Sequence, residues 1–328
     1  TLTVKAHRDV YVQSDITAAG GKLNILLEAD SENTGPSTTH DGAGFIQVNN
    51  NIATNGGSLQ LGSGATSTLS GTTTQVGGDL YMAGTGSQTF STSGGQVKIL
   101  GETMLANPYG LIIDSGGGDV FFGGVVNSAN SYNYIAAGGT TWDSAVAAAK
   151  GGTGSGTGDT YLATITSRLE NAIASRAAGY KTAWLGAKRG GNGYAANNAD
   201  GTKIEDIWYW VTGPEGLMNG GRGKDFYKQT FFYYIGATNQ SVTGSPVNGM
   251  YNNWSTNEPN NWYNATIKGE YVMQFTGNQG LWNDLNPADS NPVTGYVKET
   301  NLSASPLKVD AGAGNVTFNG SVGGSKAL

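Results

Sequence analysis

Two patterns of apolar and polar positions divide the chain. Residues 1–127 carry short runs in which apolar and polar side chains alternate over four to six positions. Examples are Leu2-Thr3-Val4-Lys5-Ala6, Val10-Tyr11-Val12-Gln13, Gly57-Ser58-Leu59-Gln60-Leu61-Gly62, Gly95-Gln96-Val97-Lys98-Ile99 and Gly118-Asp119-Val120-Phe121-Phe122-Gly123. A period of two is the pattern of a strand with one buried face. Glycines bracket the runs and supply the backbone freedom that tight corners need. Leu59, Leu80, Val97 and Val120 lie in successive runs, separated by 21, 17 and 23 residues. Short strands recurring at roughly twenty residues predict stacked coils, a right-handed parallel β-solenoid, ahead of a β-sandwich with glycine-rich turns.

The alternation returns near the C-terminus. Leu111-Ile112-Ile113-Asp114-Ser115-Gly116-Gly117-Gly118-Asp119-Val120-Phe121-Phe122 aligns without a gap on Leu307-Lys308-Val309-Asp310-Ala311-Gly312-Ala313-Gly314-Asn315-Val316-Thr317-Phe318, at an offset of 196 residues. Residues 1–127 and 302–328 are therefore expected to belong to one solenoid. Residues 128–301 are expected to be an α+β module inserted in one of its loops. Such insertions are thermodynamically cheap when the inserted ends lie close together.

Inside the insertion the pattern changes. Trp142 to Lys150 is alanine-rich and stops at Gly151-Gly152, which predicts a helix. Ser167 to Ala178 predicts a second, with Glu170 three residues after Ser167 as in a capping box. Trp184, Trp208 and Trp282 are expected in the core. Tyr233, Tyr234, Tyr251, Trp262 and Tyr263 suit either core packing or binding.

Composition narrows the function classes. Glycine accounts for 53 of 328 residues without a collagen period, and charged residues for only 13%. The net charge of −6 argues against a nucleic-acid partner, which calls for a basic surface. No apolar run approaches the ~20 residues that span a bilayer, so membrane insertion is not expected. Cysteine is absent, which excludes disulfides, zinc–thiolate sites and a cysteine nucleophile. The two histidines, His7 and His40, lie far from any nucleophile motif, and no enzymatic activity is expected. Asp114, Asp119 and Asp310 beside glycines suit turn chemistry better than catalysis. With neither a signal peptide nor an initiating Met, the sequence reads as a piece of a longer, exported protein.

The densest chemistry lies between Trp254 and Glu299. Glu258-Pro259-Asn260, Glu270 and Trp282-Asn283-Asp284 place hard oxygen donors within about thirty residues, a donor set that suits Ca²⁺. This segment resembles the calcium and sugar site of C-type lectins. Thr141 to Ala149, Tyr161 to Ser167, Ala183-Trp184-Leu185-Gly186 and Trp208 to Glu215 extend the resemblance over Tyr132 to Thr300, in the order found in cysteine-free bacterial C-type-lectin-like domains.

The resemblance implies several things about this chain. Tyr132–Ile135 and Gly295–Lys298 would pair as terminal strands. Glu258 and Asn260 would flank a cis Pro259, with Asn283, Asp284 and Glu270 completing the Ca²⁺ shell. Here the sequence departs from the family, because Glu270 stands one residue before Tyr271 where the family places its acid two before. The Glu-Pro-Asn order implies a mannose-, glucose- or fucose-type ligand, with Trp262 and Tyr263 on the sugar rim. The Gly-Gly-x-Leu-x-Leu-Gly elements of residues 2–62 resemble the repeats of filamentous-haemagglutinin-type adhesins. Together these imply a secreted or cell-surface bacterial adhesin whose partner is a glycan or a cell-surface glycoprotein. A module that binds a protein ligand through residues 213–253, or a purely structural filament element, is the alternative.

Overall fold

A computed structural model of the chain describes residues 1–31, 44–69, 72–75, 77–190, 205–231, 242–260, 269–277, 280–289 and 293–328. The protein is mainly β and contains both parallel and antiparallel sheets. It divides into two compact units. The first combines Thr1–Asn130 with Leu302–Leu328, and the second is Ser131–Asn301.

The first unit consists chiefly of three parallel sheets that the chain visits in rotation. One holds Leu2–Lys5, Ile25–Glu28, Leu59–Leu61, Val97–Ile99, Val120–Phe122 and Val316–Phe318. The next holds Val10–Val12, Ile46–Val48, Leu80–Met82, Thr103–Leu105 and Val126–Ser128. The third holds Ile16–Thr17, Ile52–Ala53, Gln88–Ser91, Leu111–Asp114 and Leu307–Asp310. In most of these strands the first and third residues point inward and are buried, as a two-residue period requires. Ile46, Val48, Leu59, Leu61, Val97 and Ile99 are among those that fill the centre. Each such aliphatic side chain, once fully buried, favours the folded state by about 1.5–3 kcal/mol.

The register corrects one reading of the sequence. Leu59 pairs directly with Val97, and Val97 with Val120, but Leu80 belongs to a different sheet and pairs with Ile46 and Thr103. The apparent twenty-residue spacing mixed two faces. The path from Leu61 to Leu80 is long because it contains an antiparallel hairpin of Thr66–Leu69 with Thr72–Gln75.

One corner has a repeated design. Thr54 Oγ1 donates to Gly57 O, Thr92 Oγ1 to Gly95 O, and Ser115 Oγ to Gly118 O, all buried. These turns stack so closely that a Cβ on Gly95 would lie 1.9 Å from Gly57 O, and one on Gly57 would lie 2.2 Å from Leu23 O. Only glycine fits there. The 196-residue repeat is a pairing: Leu111 lies opposite Leu307, and Val120 opposite Val316. The second unit thus leaves the chain between Val126–Ser128 of one sheet and Leu307–Asp310 of the next. Its first residue is Ser131 rather than 128, because Ser128 is still paired with Leu105.

In the second unit Ser131–Ala136 pairs antiparallel with Gly295–Thr300, so both ends of the insertion meet in one ladder. The sheet continues through Thr182–Arg189, Glu205–Trp210, Lys224–Phe231 and Val242–Pro246. Val272–Thr276 joins Thr182–Arg189 to Trp282–Leu285. Two helices pack beside it, Trp142–Ala149 and Arg168–Ala177. Thr141 and Ser167 are their N-caps, each accepting a bond from the backbone N–H three residues on, which satisfies a donor that the first turn leaves free. Trp184, Trp208, Trp210 and Trp282 are fully buried.

Candidate functional site

An aromatic floor fixes the Trp254–Asn260 segment. Trp254 lies 4.8 Å from Trp208 and 5.9 Å from Trp282, ring centre to ring centre. Its backbone runs alongside the Trp282 strand: Ser255 N donates to Trp282 O at 2.9 Å, and Trp282 N to Asn253 O at 2.9 Å. From there the chain turns at Asn257, whose φ is +68°, and enters a cis peptide bond between Glu258 and Pro259. Glu258 N closes the turn by donating to Ser255 O at 3.0 Å. These contacts bring residues 258–260 beside Asp284.

The polar groups then converge. Asn260 N donates to Glu258 Oε2 at 3.0 Å and to Asp284 Oδ1 at 2.9 Å. Asn260 Nδ2 donates to Glu258 Oε1 at 2.9 Å. Asp284 is fully buried, and Glu270 is nearly so. Burial raises the Glu258 carboxyl to a pKa of about 9; the negative charge of Asp284, a hydrogen bond between the two carboxyls and the charge of Glu270 push in the same direction. Asn283 is half-buried, and its Nδ2 donates to Asp284 O. The structure therefore places Glu258, Asn260 and Asp284 together, with the Asn283 side chain bonded to the Asp284 backbone beside them. Glu270 reaches them through its electrostatic effect on Glu258. Trp262 and Tyr263 lie outside the described residues.

Two features fit a hard cation. The Asn260 Oδ1 atom is buried and accepts no hydrogen bond from any described residue. A buried amide oxygen without a donor is costly, and a cation would satisfy it. Burial first, and then the negative charge of Asp284 and Glu270, also hold the Glu258 carboxyl well above the usual range, and a bound cation would offset the charge part of that shift. Among the described residues no three His, Cys, Asp or Glu side chains form a metal shell by themselves. A cation here would rely on the Asn260 and Asn283 amides as well as on the carboxylates.

A second buried network was not legible as a unit in the sequence. Glu170 Oε1 accepts from the Tyr132 hydroxyl, and Glu170 Oε2 accepts from Thr166 Oγ1 at 2.9 Å and from Thr166 N. The reciprocal half of a capping box thus goes to Thr166 and not to the cap residue Ser167. Glu299 accepts from the Tyr161 hydroxyl at 3.1 Å and from Thr164 N at 2.9 Å. Thr164 Oγ1 donates to Glu215 Oε2 at 3.1 Å. Burial raises both the Glu170 carboxyl and the Tyr132 hydroxyl. The available signal was strand register, since both Tyr132 and Tyr161 stand opposite Glu299.

In the first unit the aspartates serve corners. Asp114 Oδ1 accepts from Gly116 N, and Asp310 Oδ1 from Gly312 N, each two residues on. Asp119 Oδ1 accepts from Asn315 N at 2.8 Å, just before the neighbouring paired strand. Comparison of the chain with family models, with curated proteins and with solved structures gives no match.

Proposed function

We propose that this chain is part of a bacterial surface adhesin, in which a right-handed β-solenoid displays a C-type-lectin-like head that takes Ca²⁺ and, through it, a mannose-, glucose- or fucose-type glycan. Three parallel sheets visited in rotation support the solenoid. Paired terminal strands and two capped helices support the lectin-like head. The observation that carries the functional reading is the Glu258–cis-Pro259–Asn260 turn, closed on Asp284 and leaving the buried Asn260 Oδ1 without a donor.

Ca²⁺ in such a site supplies coordination positions for two adjacent sugar hydroxyls. Glu258 offers carboxylate acceptors to those hydroxyls, and Asn260 offers the Nδ2 donor that now satisfies Glu258. One monosaccharide on an exposed rim buries little area, so single-site affinity is weak and adhesion relies on many copies acting together. A glycan array probed with the full chain tests this. Mannose-, glucose- or fucose-type glycans are expected to bind in millimolar calcium and to be released by chelator. Binding that persists undiminished in chelator would contradict the reading.

The exposed Leu217 and Met218 favour a second reading, in which the same unit docks a protein ligand. That reading predicts chelator-insensitive binding to a glycoprotein, even after its glycans are removed, and loss of that binding in Leu217→Asp.

A further inference from the structure

A buried glutamine stands behind the candidate site, and no motif in the sequence singles it out. Gln229 lies on the strand Lys224–Phe231 and is fully buried. Its Oε1 accepts from Trp208 Nε1 at 2.9 Å, and its Nε2 donates to Pro259 O. Trp208 is itself fully buried against Trp254. The indole therefore sets which way the Gln229 amide points: the oxygen is committed to an N–H donor, which leaves the nitrogen to face the proline carbonyl.

That carbonyl belongs to the peptide unit joining Pro259 to Asn260, which is planar, with its C=O and N–H on opposite edges. On one edge Gln229 holds Pro259 O. On the other, Asn260 N reaches Glu258 Oε2 at 3.0 Å and Asp284 Oδ1 at 2.9 Å. The peptide is clamped from both sides, and the Asn260 side chain leaves from that clamped unit. Resting on the cation-site reading above, we infer that Gln229 is the positioning residue of this site. It fixes the 259–260 peptide plane, so that Asn260 Oδ1 and the Glu258 and Asp284 carboxylates are already aimed at a common point before a cation arrives. The ligands then need little reorganisation on binding, and the affinity gain of Gln229 lies in that preorganisation and not in contact with the ion.

The test uses the full chain with calcium alone as the probe. Gln229→Met keeps the side-chain length and loses both hydrogen bonds. It is expected to weaken calcium binding roughly fivefold to tenfold, about the worth of the one bond that holds Pro259 O. In calcium-free protein it is also expected to speed hydrogen exchange at the Asn260 amide. Trp208→Phe retains most of the ring packing but removes the donor that orients the Gln229 amide, and should move both readouts the same way by a smaller factor. Thr212→Val is the stability control. It deletes a buried hydrogen bond to Leu162 O in the same unit and should lower the melting temperature without changing either readout.

Wild-type calcium affinity and exchange rate in Gln229→Met would overturn the inference. So would equal weakening by Thr212→Val, which would make the effect one of general stability. If the wild-type protein takes up no calcium, the proposed function fails and Gln229 positions no cation ligand. A wild-type protein that binds calcium beside an unaffected Gln229→Met defeats this inference alone.

Discussion

The two units use the same backbone chemistry to opposite ends. In the unit formed by 1–130 and 302–328, each structural solution is repeated. The Thr54, Thr92 and Ser115 corners make the same bond, and the inward rows Leu59–Val97–Val120 and Leu61–Ile99–Phe122 repeat the same packing. Among the described residues of the 131–301 unit no such corner or row recurs. Its polar groups gather into two buried networks, one around Glu258 and Asp284 and the other around Glu170 and Glu299. Repetition spreads stability over many equivalent contacts, whereas a single-copy module concentrates charge at a few points and becomes sensitive to substitution, protons and ions there.

The largest expected effect follows from that concentration. Trp282 packs near Trp210, Phe226 and Tyr251, and its indole donates to Asn171 Oδ1 at 2.8 Å. Trp282→Ala is expected to destabilise the 131–301 unit by about 3–5 kcal/mol. Urea unfolding should then show that transition shifted and the transition of the 1–130 and 302–328 unit unmoved. A shift of both together would deny the two-unit comparison.

Gly95→Ala strikes the repetitive unit. Its Cβ would meet the backbone oxygen of Gly57 in the stacked turn, which cannot swing away as a side chain could. A loss of about 2–3 kcal/mol in that unit is expected, near the upper end of overpacking costs. An unchanged urea midpoint would mean that the Gly57 and Gly95 turns do not stack this closely.

Protons should act on the 131–301 unit with a definite sign. Glu170 and Glu258 both have carboxyls raised in the folded state, Glu258 to about 9. A raised folded pKa contributes stability that is fully present below the ordinary glutamate value of about 4.3 and is lost as pH rises through the folded value. In calcium-free protein the melting temperature of this unit is therefore expected to fall between pH 5 and pH 9. Glu258→Gln should flatten part of that slope, and Glu170→Gln another part. Slopes unchanged in both variants would remove these carboxyls from the account.

The smallest effect is expected from excision. Replacing 131–301 with a short Gly-Ser link exchanges one closed connection for another, because Ser131 and Thr300 are already paired. Loop length changes stability only slowly, so the remaining unit should shift by less than about 1 kcal/mol. Residues 131–301 alone should give a cooperative thermal transition. Failure of both pieces to fold would show that the division is not energetic.

Much of this was legible in the sequence where the signal is local or repeated. The 196-residue offset is a strand pairing because two copies of one alternating pattern match residue for residue in a parallel ladder. Ser167 caps its helix because the spacing to Glu170 is a local rule. Leu80 was misplaced because a run of alternating residues does not say which of three faces it belongs to. Glu258, Asn260 and Asp284 were legible through a motif, whereas Gln229 and Glu299 were not. Their partners, Pro259 and Tyr161, are distant in sequence, and no spacing rule joins them.

Glu258, Asn260 and Asp284 are proposed as a cation site in the folded 131–301 unit. Thermal unfolding with and without calcium tests it most directly, in the full chain and in Asp284→Asn. A ligand at a hundred times its dissociation constant stabilises the state it binds by about 2.7 kcal/mol. For a unit of this size that is a rise of roughly 5–10 °C. That rise is expected in the wild-type 131–301 transition and is expected to be lost in Asp284→Asn. An equal rise in Asp284→Asn, or none in the wild-type protein, would contradict the proposed site.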